Sequence, residues 1–148
     1  MTKMKMFSVL TLILMLGVSV QTVSAQNLNE VLKEHMNETV QLVKAADTAD
    51  EKRSILNDSY EKMLETVRLI EEKASLSEEE SAQLALLKSE ITDRSNQLNG
   101  LDGYEQISDE DLDDYSDYSQ QSMEQANNRT ITIGLTTALL IVIILLLL

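Results

Sequence analysis

Four carboxylates stand close together at Asp109, Asp111, Asp113 and Asp117, and clustered carboxylates are the ligands that Ca²⁺ takes. The calcium-loop pattern fails on inspection. Counted from Asp109, Asp114 falls where the sharp turn needs Gly, and Gln120 falls where a bidentate Glu belongs. The spacing therefore implies weak, nonspecific divalent cation binding and no dedicated metal site. His35 is the one imidazole in the chain, so neither a multi-histidine centre nor a His-containing cluster can form around it. Acidic pairs recur at Glu71-Glu72 and in Glu78-Glu79-Glu80, with no apolar surroundings to drive two pKa values apart, and they read as solvated faces. Cysteine is absent, which removes thiolate metal sites, thiol nucleophiles and disulfides. No Gly-rich phosphate loop, nucleophile elbow or His-Glu-x-x-His occurs. The expectation is a protein that is not an enzyme, with no catalytic, cofactor-binding or metal-ligating residues and no cofactor.

The charge points the same way. The 148 residues carry a net charge of −13, a poor match to phosphate backbones, so nucleic acid is excluded as a partner class. Three Asn-x-Ser/Thr sequons, at Asn37, Asn57 and Asn128, matter only in a glycosylating secretory pathway. A bacterial source is the reading adopted for the leader described next, and it sets them aside.

The elements that would position any partner surface are marked by helix punctuation. Residues 1–25 read as a signal peptide. Lys3 and Lys5 precede an apolar run, and Val23-Ser24-Ala25 places small residues at the cleavage position. Residues 130–148 read as a single C-terminal transmembrane helix, because Ile131 to Leu148 carries no charge and nearly matches the hydrocarbon thickness. Gly134 and Ala138 form a small-xxx-small pair there, a candidate face for transmembrane packing. Between these ends the chain lies outside the cytoplasm, at a bacterial inner membrane facing the periplasm.

The region 26–100 reads as extracytoplasmic helix or coiled coil. Leu28, Val31, Leu32, Met36, Val40 and Val43 recur at helical spacing, with His35 and Thr39 beside them. Thr48-Ala49-Asp50-Glu51 and Ser77-Glu78-Glu79-Glu80 match capping boxes that open the next two helices. In the second helix Leu56, Tyr60, Met63, Val67, Ile70 and Ala74 make a heptad seam, the expected partner-binding surface. The third shows Leu84, Leu87, Ile91 and Leu98, with Arg94 occupying one seam position and Asn99-Gly100 closing it.

Short connections predict an all-α fold: an antiparallel helical hairpin, three-helix bundle or coiled coil. Few aromatics are available to cover it, so self-association or a membrane or envelope protein is expected to supply the missing cover. Residues 101–129 hold nine acids and one base, Arg129, and read as an acidic, flexible stalk. A helix running on from Ser108 through Leu112, Tyr115 and Met123 is the other possibility for that stretch. The function these elements imply is a structural or interaction component of the envelope, a scaffold or accessory subunit. The alternative is a surface module that binds cations or a basic partner through the stalk.

Overall fold

A computed structural model describes residues 28–126. Within it the chain forms four α-helices: α1 (Leu28–Ala45), α2 (Ala49–Lys73), α3 (Glu78–Asn99) and α4 (Leu112–Ala126). A short 3-10 turn at Asp109–Asp111 leads into the last of them. The architecture is an all-helical bundle, with one more helix than the spacing predicts.

Capping follows the sequence closely. At the start of α2 the Thr48 hydroxyl accepts from the Glu51 amide at 3.2 Å. The Glu51 carboxylate reaches back one residue further than a regular box and takes the Asp47 amide at 3.3 Å. The Ser77 box is complete: Ser77 Oγ accepts from the Glu80 amide, and the Glu80 carboxylate accepts from the Ser77 amide. Each box satisfies amides that the first helical turn leaves without partners. Gly100 ends α3 in the left-handed region at φ 67°. A Cβ at Gly100 would also stand 2.8 Å from the Gln106 backbone nitrogen, so two constraints favour glycine there.

The apolar faces meet in one core. Leu28, Leu32, Met36, Val40 and Val43 from α1 are buried, as are Leu84, Leu87, Ile91 and Leu98 from α3. Helix α2 contacts all three other helices, and α4 packs mainly along α1. Ion pairs report the directions. Lys33 meets Glu124 and Lys44 meets Asp117, so α4 runs antiparallel to α1. Lys88 meets Glu71 and Asn99 meets Asn57, so α3 runs antiparallel to α2. The start of α1, the end of α4 and the α2–α3 connection thus share one end of the bundle. The α1–α2 turn and the 100–111 segment share the other.

Over 112–126 the structure takes the helical alternative in place of the flexible stalk assigned to 101–129. Leu112, Tyr115, Ser116 and Ser119 form its buried stripe, at the i, i+3, i+4, i+7 spacing of a packed helix. Half of that stripe is serine, which hides it from an apolar count. Its acids do not repel one another into solvent, because α1 and the start of α2 oppose them with Lys33, Lys44, Lys52 and Arg53. The signal peptide at 1–25 and the transmembrane segment at 130–148, with Gly134 and Ala138, lie outside the described residues. No helix among the described residues is long and apolar enough to cross a membrane.

Candidate functional site

The seam of α2 is brought together as expected but faces inward. Leu56, Tyr60, Met63, Val67 and Ile70 are each at most 1 % exposed, and Ala74 is partly buried against the same core. The surface assigned to a partner is covered by α1, α3 and α4 of the same chain. The correction has a physical cause: a seam of this type buries itself on the nearest apolar face, and short connections bring three such faces within reach.

Several polar groups within the core are matched pairwise, whereas Asn37 Oδ1 is buried without a hydrogen-bond partner. The Tyr60 hydroxyl meets Ser119 Oγ at 2.9 Å, and the Tyr115 hydroxyl donates to the Arg94 carbonyl at 2.6 Å. Burial pushes both phenols up from their usual pKa, and for Tyr115 the neighbouring Tyr60 adds to the rise. Asn57 and Asn99 exchange amide hydrogen bonds at 2.7 and 3.2 Å and join α2 to the end of α3. Arg53 makes a three-way clamp. Its guanidinium donates to the carbonyls of Leu98 and Ile107 and to the Asp109 carboxylate, joining α2, α3 and the entry to α4.

His35 and Ser59 invite a catalytic comparison, which the hydrogen count decides. The Thr39 hydroxyl donates to the His35 carbonyl at 2.9 Å. It has no second proton, so in its 2.8 Å contact with Ser59 the serine donates. Ser59 Oγ then accepts from His35 Nε2–H at 3.1 Å. A nucleophile needs the opposite arrangement, with its own proton aimed at the ring nitrogen and access to substrate. Ser59 is only 4 % exposed, and the three groups tie α1 to α2. Burial, then the nearby Lys62 ammonium, lowers the His35 pKa, while Glu38 and a hydrogen bond to the Ser59 backbone oppose that shift.

The acids that suggested cation binding are each taken up within the chain. Asp109 faces Arg53, Asp113 faces Lys52 and Asp117 faces Lys44, while Asp111 accepts from the Ser108 hydroxyl. Among the described residues no group of three or more His, Asp or Glu side chains is placed to hold a metal ion.

A half-open cleft of about 510 Å³ lies between α1, α3 and α4. Its lining is mostly polar: Arg94, Gln97, Tyr118 and Gln121 stand over Leu32, Leu87 and Ile91, which are themselves almost fully buried. The Arg94 guanidinium lies 4.5 Å over the centre of the Tyr118 ring, and Nη1 donates to Gln97 Oε1 at 3.2 Å. The sequence signal for this feature was the cation in an otherwise apolar seam. Nothing in the spacing disclosed that α4 would complete a cleft around it.

Comparison of the chain with protein-family models, with curated proteins and with solved structures finds no match. The fold and the cleft therefore define a class no narrower than a small helical bundle with a solvent-open ligand-sized concavity.

Proposed function

We propose that the chain is a membrane-anchored, extracytoplasmic helical module that serves the cell envelope as a scaffold or accessory subunit. The observation that carries the reading is the approach of Lys33 to Glu124 at 3.7 Å, which sets the beginning of α1 and the end of α4 at one end of the bundle. The described residues begin at Leu28 and stop at Ala126 at that same end. With the leader removed at residue 25, a spanning helix over 130–148 would hold that end against the bilayer and point the 100–111 segment away from it.

The distal end offers one surface for a protein partner. Leu101 and Tyr104 are 55 % and 40 % exposed there, in a short loop held by Gly100, by a left-handed Asp102 and by the Arg53 clamp. The alternative of a basic partner bound along 102–117 has fewer free carboxylates than the bare sequence offers, since three of those acids already face cations of the same chain.

Two fractionations test the anchor. Full-length chain should remain with membranes through alkaline carbonate extraction, and chain truncated after Ala126 should be released. Protease added outside the inner membrane should digest the bundle. Recovery of the full-length chain in the carbonate supernatant, or protection of the bundle from external protease, would overturn the reading.

A further inference from the structure

We infer that α4 exchanges between two copies of this chain, so that each bundle is completed by the fourth helix of the other. The helix is placed for exchange. It packs mainly along α1 and also meets α2, both distant in sequence. Its own sequence neighbour, α3, is met by the Tyr115 hydroxyl on the Arg94 carbonyl and by the Tyr118 ring beneath the Arg94 guanidinium. Leu112 and Tyr115 are the apolar half of its buried stripe, and Ser116 and Ser119 are the rest. Ion pairs hold the exposed flank, from Lys33 to Glu124, Lys44 to Asp117 and Lys52 to Asp113. A helix that buries so little apolar surface opens before the helices that share the main core. The α4 of a second copy carries the same stripe and the same acids, so it is the occupant this face fits.

The segment before α4 opens without disturbing the core. Residues 101–106 are all exposed. Asp102 and Gly103 have φ of 53° and 85°, in a tight turn closed by the Tyr104 amide on the Leu101 carbonyl at 3.0 Å. A left-handed conformation strains a residue that has a side chain, and short strained hinges favour exchange because the extended form releases the strain. Arg53 grips both flanks of the hinge, the Leu98 carbonyl before it and the Ile107 carbonyl and Asp109 carboxylate after it. The same bonds form when 107–109 come from the second copy. Residues 101–106 fully extended reach about 20 Å, roughly the width of two packed helices, so copies standing side by side can exchange α4. This names a second copy as the partner met at the distal end proposed above. It does not depend on the membrane anchor, which carbonate extraction tests by itself.

Thiol cross-linking of the full-length chain in mild detergent tests the inference, and the native sequence has no cysteine to compete. A Lys44→Cys chain and an Asp117→Cys chain, differently tagged and co-expressed, are treated with a short bismaleimide. A covalent heterodimer is expected, and equally from Lys33→Cys with Glu124→Cys at the other end of the α1–α4 contact. Copies that only touch cannot satisfy both pairs. One chain carrying both Lys44→Cys and Asp117→Cys should give covalent dimer beside internally linked monomer. Asp102→Gly, which relieves the closed turn, should lower the heterodimer yield about fivefold or more. Asp102→Pro, whose ring fixes φ at about −65°, should raise it. Internally linked monomer without dimer, heterodimer at one pair alone, or yields unchanged by both Asp102 substitutions would each overturn the proposal.

Discussion

Lys52 sets its ammonium 2.8 and 2.7 Å from the two carboxylate oxygens of Asp113, across 61 residues of chain. The Lys52 side chain is 19 % exposed and that of Asp113 46 %, so one partner is largely withdrawn from water and the other is not. The pair fixes the first turn of α4 against the first turn of α2. It also explains how a segment so rich in acids comes to rest on the bundle. Lys52→Glu should loosen α4 selectively, seen as faster amide hydrogen exchange over 112–126. Combining it with Asp113→Lys should restore protection, with a coupling energy of about 1 kcal/mol. Equal exchange in the single and double variants would show that the pair contributes nothing to docking.

Arg53 makes the larger contribution, because its fork satisfies two carbonyls at 2.7 Å in addition to Asp109. Arg53→Ala is expected to cost about 2–3 kcal/mol in urea unfolding, the range for hydrogen bonds to a charged group. Arg53→Lys should recover only part of this, since a single ammonium cannot span both carbonyls.

His35 makes stability depend on acid. Its pKa is lowered in the fold from the ordinary 6.5, first by burial and then by Lys62. Below pH 6.5 the unfolded chain therefore binds the proton more readily than the folded one. The stabilisation is complete above 6.5 and is lost as pH falls toward the lower folded value. Melting temperature measured through this window should drop with acid. His35→Gln, which keeps a donor for Ser59, should flatten the slope.

Tyr60 and Tyr115 make the complementary prediction in alkali. Burial raises both above the ordinary value of 10, so the unfolded chain ionises first. Their contribution is full below pH 10 and is lost as pH rises beyond it. Tyr115→Phe should remove part of this alkaline sensitivity. At neutral pH it should cost about 0.5–1.5 kcal/mol, because it leaves the Arg94 carbonyl without its donor.

Val67 and Ile70 distinguish a core from an interface. Both are 0 % exposed, so Val67→Asp or Ile70→Asp forces a carboxylate into the apolar interior. Loss of helical circular dichroism should accompany each change. A variant that kept its fold and changed only its oligomeric state would restore the seam to the surface.

Much of this was determined by the sequence alone, because it depends on neighbours three and four residues apart. The faces of α1, α2 and α3, the Ser77 box, the Thr48 cap and the Gly100 stop are all local, and the chain adopts them as the spacing predicts. Tertiary structure decided which face meets which. The α2 seam has the period of an intermolecular coiled coil and of a bundle core alike, and periodicity cannot tell them apart; only the arrival of α1, α3 and α4 does. Helix α4 was harder to read, since Ser116 and Ser119 occupy half of its buried stripe and its acids gain their partners from helices more than fifty residues away. Arg94 was visible as an anomaly in α3, but its meaning lay with Leu32, Tyr118 and Met123, on helices that the folded chain brings beside it.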